Sequence, residues 1–175
     1  MRIYTIILTM MLVPALTFAS CNNVVENGRG INKISNPPDS SIVKILGDTI
    51  ADVIFNPKKV SAYKLKKVFD TVALKAGDCE NFVKDSLLQI LKPETYGALD
   101  FVLLSDTANY KLDSVKIRSQ YYPLLEFEFQ KKKECVKVRI STNDYCWTII
   151  RDNKVISRFN YYDKKLVERL CNLFL

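Results

Sequence analysis

The chain has 175 residues, carries 26 Lys and Arg against 19 Asp and Glu for a net charge of +7, and contains no histidine. The missing imidazole excludes the usual serine and cysteine triads and removes the commonest metal ligand. The five glycines are dispersed, so no glycine-rich phosphate loop is present and no nucleotide cofactor is expected.

The first twenty residues read as an export signal. Arg2 is the only charge before Cys21, Ile3 to Leu16 is almost wholly apolar, and Thr17-Phe18-Ala19-Ser20 brings small residues to a cleavage point. The apolar run of about 14 residues, interrupted by Pro14, falls short of the about 20 that a spanning helix needs. Removal of residues 1–20 takes away one charge, Arg2, and leaves a basic chain. In an exported protein that excess suits anionic lipid heads, an envelope glycan or an envelope protein, and nucleic acid is not an expected partner. Residues 22–41 are rich in Asn, Ser, Gly and Pro, a composition that cannot bury enough apolar surface to fold. The expected organisation is a signal peptide over 1–20, a modified N-terminus and flexible tether over 21–41, and one domain over 42–175.

Within the domain, Asp52 to Phe55, the turn-forming Asn56-Pro57 and Val60 to Leu65 predict a β-hairpin. Val83, Leu87, Ile90 and Leu91 recur at helical spacing and predict a helix. A second helix restarts at Pro93, with Tyr96, Leu99, Val102 and Leu103 as its apolar stripe. Ser105 to Asp113 is a polar connection, and Ser114 to Ser119 reads as a short strand. Leu125, Phe127 and Phe129 alternate with Glu126 and Glu128; Val136, Val138 and Ile140 alternate with Lys137 and Arg139. Turns at Lys131 to Glu134, Ser141 to Asp144 and Asp152-Asn153 join these into a meander with Tyr145 to Ile150 and Val155 to Tyr161. Asp163 caps a final helix to about Leu173, with Leu166, Leu170 and Leu173 or Phe174 as its stripe and Val167 and Cys171 beside it. The class is α+β: an antiparallel β-meander of about four to six strands, packed on one face by helices that include the C-terminal one.

Few residues invite chemistry. Glu126 and Glu128 share one strand face about 7 Å apart, near the separation of an inverting glycosidase pair, although alternation with apolar residues alone also yields such a pair on a solvent face. If Cys146 faces the core with Ile140 and Phe159, Trp147 projects from the opposite face near Arg139 and Arg158, a platform for stacking or cation–π binding. Lys131-Lys132-Lys133 forms a basic hairpin tip that, with Lys58 and Lys59 and with Lys64, Lys66 and Lys67, suits an anionic surface or simply solvates the turns. Cys79, Cys135, Cys146 and Cys171 could pair in three ways or remain buried thiols; they lie too far apart in sequence for a structural zinc site, and no metal is expected. Asp followed by Ser or Thr and then an aliphatic residue or Ala recurs at Asp48-Thr49-Ile50, Asp70-Thr71-Val72, Asp85-Ser86-Leu87, Asp106-Thr107-Ala108 and Asp113-Ser114-Val115. Such pairs favour turns and helix starts.

Two resemblances add to this reading. Phe18-Ala19-Ser20-Cys21 resembles the bacterial lipoprotein box, which implies lipidation of Cys21 as the mature N-terminus and attachment to the membrane through that anchor. The Asp-Ser/Thr tripeptides resemble the O-glycosylation sequon of exported Bacteroidetes proteins, which implies Thr49, Thr107 and Ser114, in predicted loops or strand starts, as glycan acceptors; Ser86 is expected to be helical. With the Lys, Asn and Tyr content, and with segments such as Ile54 to Val60 and Cys146 to Ile150, the chain looks like a small exported lipoprotein of Bacteroidetes type. Asn22-Asn23-Val24-Val25 stands where surface-exported relatives carry an acidic run, which implies the periplasmic side of the outer membrane. The resemblance brings no catalytic residues, and the function it implies is that of a lipid-anchored binding or accessory protein. The alternatives are a secreted inhibitor or immunity-like module using the Trp147 face, and a hydrolase using Glu126 and Glu128.

Overall fold

The computed structural model describes residues 38–68, 82–112 and 121–175. The signal segment, Cys21, Cys79, Ser114 and the strand expected over Ser114 to Ser119 lie outside the described residues. What is described is an α+β fold: a seven-stranded antiparallel sheet in the order β2-β1-β4-β5-β6-β7-β3, with four helices. The strands are β1 Lys59–Lys67, β2 Phe82–Ile90, β3 Lys111–Leu112, β4 Pro123–Lys131, β5 Glu134–Ser141, β6 Cys146–Arg151 and β7 Lys154–Asn160. The helices are α1 Ser40–Leu46, α2 Asp48–Phe55, α3 Pro93–Leu99 and α4 Lys164–Asn172. Seven strands exceed the expected four to six, chiefly because β2 forms from a segment that reads as helix.

That segment shows how a bulge can imitate a helix. Lys84, Leu87 and Ile90 stand opposite Leu65, Tyr63 and Ser61, which alternate on one face of β1. Two register shifts each insert one residue into β2, so residues on one face recur every three positions instead of every two. The opposite error occurs at Asp52 to Phe55, where a short apolar run reads as strand. The full segment Asp48–Phe55 buries Ile50, Ala51, Val53, Ile54 and Phe55, a wide helical face. Helix α1 starts at Ser40, inside the expected tether, because the Asp39 carboxylate accepts from the Ser41 N–H at 2.7 Å.

Other elements keep the expected local signals, although the connection expected over Ser105 to Asp113 holds the 3₁₀ helix Thr107–Tyr110 and strand β3. Pro93 occupies the first turn of α3. The helix then widens into a π-turn at Asp100–Leu104, whose end is marked by the Ser105 N–H donating to the Asp100 carbonyl at 2.8 Å. The β6–β7 hairpin closes on Asp152 and Asn153, both in the left-handed region at φ 51° and 59°, as a two-residue primed turn requires. Asp163 caps α4 by accepting from the Leu166 N–H at 2.9 Å. The stripe of α4 is Val167, Leu170, Cys171 and Phe174, while Leu173 is exposed. All four helices place side chains in one core with Val60, Ala62, Leu125, Phe127, Phe129, Val138, Ile140, Ile149 and Phe159 of the sheet. No helix among the described residues is long and apolar enough to cross a membrane.

Candidate functional site

The register of the meander decides which residues share a face, because directly paired residues of an antiparallel sheet project to the same side. Ile140 pairs with Trp147, and Trp147 with Phe159. The indole therefore lies in the core, 0% exposed, within 5.1 Å of the rings of Tyr110 and Phe159. Its Nε1–H donates to the Asn109 carbonyl at 2.8 Å. This corrects the expected platform. The β5–β6 turn keeps four residues but sits one position later, with Tyr145 inside it at φ 57°. It pairs Ser141 with Cys146, so Trp147, and not Cys146, shares the face of Ile140. Cys146, placed in the core by that expectation, lies on the other face, with its thiol donating to Asp144 Oδ2 at 3.1 Å.

That other face gathers the charged residues. Tyr63, Glu126, Arg139, Thr148 and Arg158 form one cross-sheet row through successive pairings of β1, β4, β5, β6 and β7. Ser61, Glu128, Lys137 and Ile150 form the next. Glu126 is 1% exposed and Glu128 nearly as buried, so neither sits on the solvent face that alternation suggests. Arg139 Nε donates to Glu126 Oε2 at 2.7 Å, and Arg139 Nη2 reaches the Phe82 carbonyl at 3.3 Å. Lys84, from the edge strand β2, contacts Glu128 Oε2 and lies 3.6 Å from Glu126 Oε1. Its ammonium also stands 3.8 Å over the Tyr63 ring. Gln130 donates to Glu128 Oε1 at 2.6 Å.

The electrostatics of the cluster favour charge on both partners. Burial alone would lower the Lys84 pKa, but the hydrogen bond to Glu128 and the fields of Glu126 and Glu128 outweigh it and raise the pKa above the ordinary lysine value. Burial alone would raise that of Glu128; the Lys84 ammonium overcomes it and holds the carboxyl below the usual carboxylate range. A Glu128 carboxylate held in this way offers no proton at neutral pH, so Glu128 does not supply the general acid that a glycosidase needs.

Arg158 stacks 4.4 Å from the Tyr121 ring, and the Tyr121 hydroxyl hydrogen-bonds Thr148 Oγ1 at 2.6 Å. Arg139 and Arg158 thus share a face with each other and not with Trp147. The sequence reading missed Lys84, hidden in a segment taken for helix. It also missed the complementary pairing of Glu126 with Arg139 and Glu128 with Lys137, which the turn at Lys131 to Glu134 already fixes by counting back along both strands.

The remaining candidates are scattered. Thr49 is exposed but lies in the first turn of α2, not in a loop. Thr107 is exposed at the start of the short 3₁₀ helix Thr107–Tyr110, where Asp106 accepts from the Ala108 N–H at 2.9 Å, so this tripeptide does cap a helix. Ser86 is in strand β2, not in a helix. Cys135 and Cys171 are free thiols, and burial pushes the Cys171 thiol up to about 12. No group of three metal-ligating side chains occurs among the described residues. A shallow cleft of about 360 Å³ opens between α4 and the β5–β6 turn, lined by Thr142, Asn143, Glu168 and Leu175 among others. Comparison with protein-family models, with curated proteins and with solved structures gives no match.

Proposed function

We propose that the chain is a lipid-anchored protein of the bacterial cell envelope, a binding or accessory protein held to the outer membrane on its periplasmic side. The observation that carries this reading is the apolar leader ending in Phe18-Ala19-Ser20-Cys21, with Asn-, Ser-, Gly- and Pro-rich residues between that cysteine and the fold. The state of the buried carboxylates supports a binding role over a catalytic one, because Glu126 and Glu128 are engaged by Arg139 and Lys84. A Trp147-based inhibitor loses its contact surface, since the indole is packed against Tyr110 and Phe159.

Fatty-acid labelling of the wild type and of Cys21→Ala in a bacterial host, followed by membrane fractionation, tests the anchor. Label and membrane association should both disappear in the variant. A wild type that is unlabelled and soluble would overturn the reading and favour a secreted protein.

A further inference from the structure

Two lysine runs far apart in the sequence meet at one end of the sheet. Lys59 at the start of β1 pairs with Gln130 near the end of β4, and the Lys58 N–H donates to the Gln130 carbonyl at 2.8 Å. This sets Lys58 and Lys59 beside the β4–β5 tip, Lys132-Lys133. The β6–β7 tip lies at the same end and adds Lys154, and the chain leaving β2 adds Lys92. All six ammonium groups are exposed, and no ion pair engages any of them among the described residues. Their neighbours Lys131 and Arg151 are paired with Asp52 and Glu134, at 2.5 and 2.7 Å, and Arg151 also lies 3.8 Å from Asp152, so these three carboxylates stand at this end against eight cations. The unpaired positive charge at this end is therefore carried by lysine alone.

We propose that this end of the sheet docks on an anionic phospholipid surface. Lysine is a hydrated, mobile point charge suited to a diffuse field of headgroups, whereas fixed phosphate recognition favours the planar fork of arginine. The six project from hairpin tips and strand ends and are not among the residues that line the cleft beside α4 and the β5–β6 turn. Two apolar side chains at the same end, Ile90 and Val155, are 53% and 43% exposed and sit among the lysines, in position to enter the headgroup layer. The preference for a membrane over a soluble polyanion rests on the proposed lipid anchor. Residues 22–37 reach at most about 55 Å, which confines the domain near a bilayer without orienting it. The lysines would set which end faces the lipid.

The test uses the full chain carrying Cys21→Ala, so that no acyl chain contributes, in flotation with phosphatidylcholine vesicles and with vesicles containing about a third phosphatidylglycerol. Any hydrophobic binding by the leader is common to both vesicle types, and the difference between them reads the basic end. Lys58→Gln, Lys59→Gln, Lys132→Gln and Lys133→Gln together should reduce partition onto the anionic vesicles by more than about 10-fold. Lys64→Gln, Lys111→Gln, Lys164→Gln and Lys165→Gln, an equal charge loss outside this end, should reduce it by less than about 3-fold. Equal losses in the two variants, no preference for anionic vesicles, or binding to dextran sulfate without binding to vesicles would each overturn the proposal. Thermal unfolding of both variants checks that the fold is kept. Because acylation is removed throughout, failure here leaves the fatty-acid labelling result untouched, and failure of labelling leaves this one intact.

Discussion

The two faces of the central sheet are buried to nearly the same degree by opposite means. On β4, Phe127 is 0% exposed among the helices, and its neighbour Glu126 is 1% exposed beside Arg139, which also reaches the Phe82 carbonyl, and Lys84. The first face is stabilised by removing apolar surface from water, which needs only shape and volume. The second depends on each charge finding its partner, because an ion taken from water without one costs several kcal/mol. The faces should therefore fail differently: the apolar one in proportion to the volume removed, the charged one according to whether a partner is left behind.

The largest effect is expected on the apolar face. Trp147→Ala removes the ring that packs on Tyr110 and Phe159 and leaves the Asn109 carbonyl without its indole donor. A loss in the upper part of about 3–5 kcal/mol is expected in urea unfolding. Loss below about 1 kcal/mol would mean that the indole is not packed as described, and would restore the ligand-platform reading.

On the charged face the informative comparison is between single and double variants. Glu126→Leu should cost about 3–4 kcal/mol by leaving the Arg139 guanidinium buried without its carboxylate. Adding Arg139→Met should recover much of that, since an apolar pair of similar volume replaces a desolvated ion pair. The same double-variant logic has no counterpart at Trp147, where a second truncation only enlarges the cavity. Additive losses at Glu126 and Arg139 would show that the two do not act as a pair.

These two positions also mark what could be read in the residues. The alternation of Leu125, Phe127 and Phe129 with Glu126 and Glu128 identifies both faces of β4, and the Asp152-Asn153 turn and the Asp163 cap are equally local signals. Exposure is not local. A carboxylate on the second face reads as solvated until its cover is known, and part of that cover is Lys84, a residue whose strand imitates a helix through two bulges. The inversion at Trp147 has a similar origin. Pattern alone places both edges of the β5–β6 turn to within a residue, but which residues share a face follows from the pairing of Ser141 with Cys146 across it. The basic end of the sheet was half legible, as a lysine tip; its junction with Lys58 and Lys59 required the β1–β4 pairing.

A third prediction uses pH, which acts on the two sides with opposite sign in acid. On the helix side burial raises the Asp100 carboxyl above its ordinary 3.8, and its contribution grows as pH falls. Glu128 titrates below its ordinary 4.5 in the fold. Its contribution is therefore present above that value and is lost as pH falls through the depressed one. Lys84 titrates above its ordinary 10.5, so its contribution is present below that value and fades as pH rises through the raised one. Unfolding free energy measured from pH 7 downwards should decline below about pH 5. In Glu128→Gln, which loses about 1–2 kcal/mol at pH 7, that decline should be shallower. Trp147→Ala should lower the whole curve without changing its shape. A Glu128→Gln curve parallel to the wild type would remove Lys84 and Glu128 as the acid-sensitive link.

The smallest effect belongs to a pair that looks similar on paper. Lys66 and Asp85 join β1 to β2 at 3.2 Å, as Lys84 and Glu128 join β2 to β4, but their side chains are 59% and 38% exposed. Water already solvates both ions, and holding two long side chains in one geometry costs entropy that offsets the attraction. Lys66→Ala and Asp85→Ala should each cost less than about 0.5 kcal/mol, and their coupling in a double-mutant cycle should vanish in about 1 M salt. The corresponding cycle on Lys84 and Glu128, whose side chains are 35% and 11% exposed, should retain more of its coupling at that salt, because a partly buried pair is screened less. Equal salt sensitivity in the two cycles would show that the charged face is open to solvent, and the contrast between the two sides of the sheet would collapse to one between a wet face and a dry one.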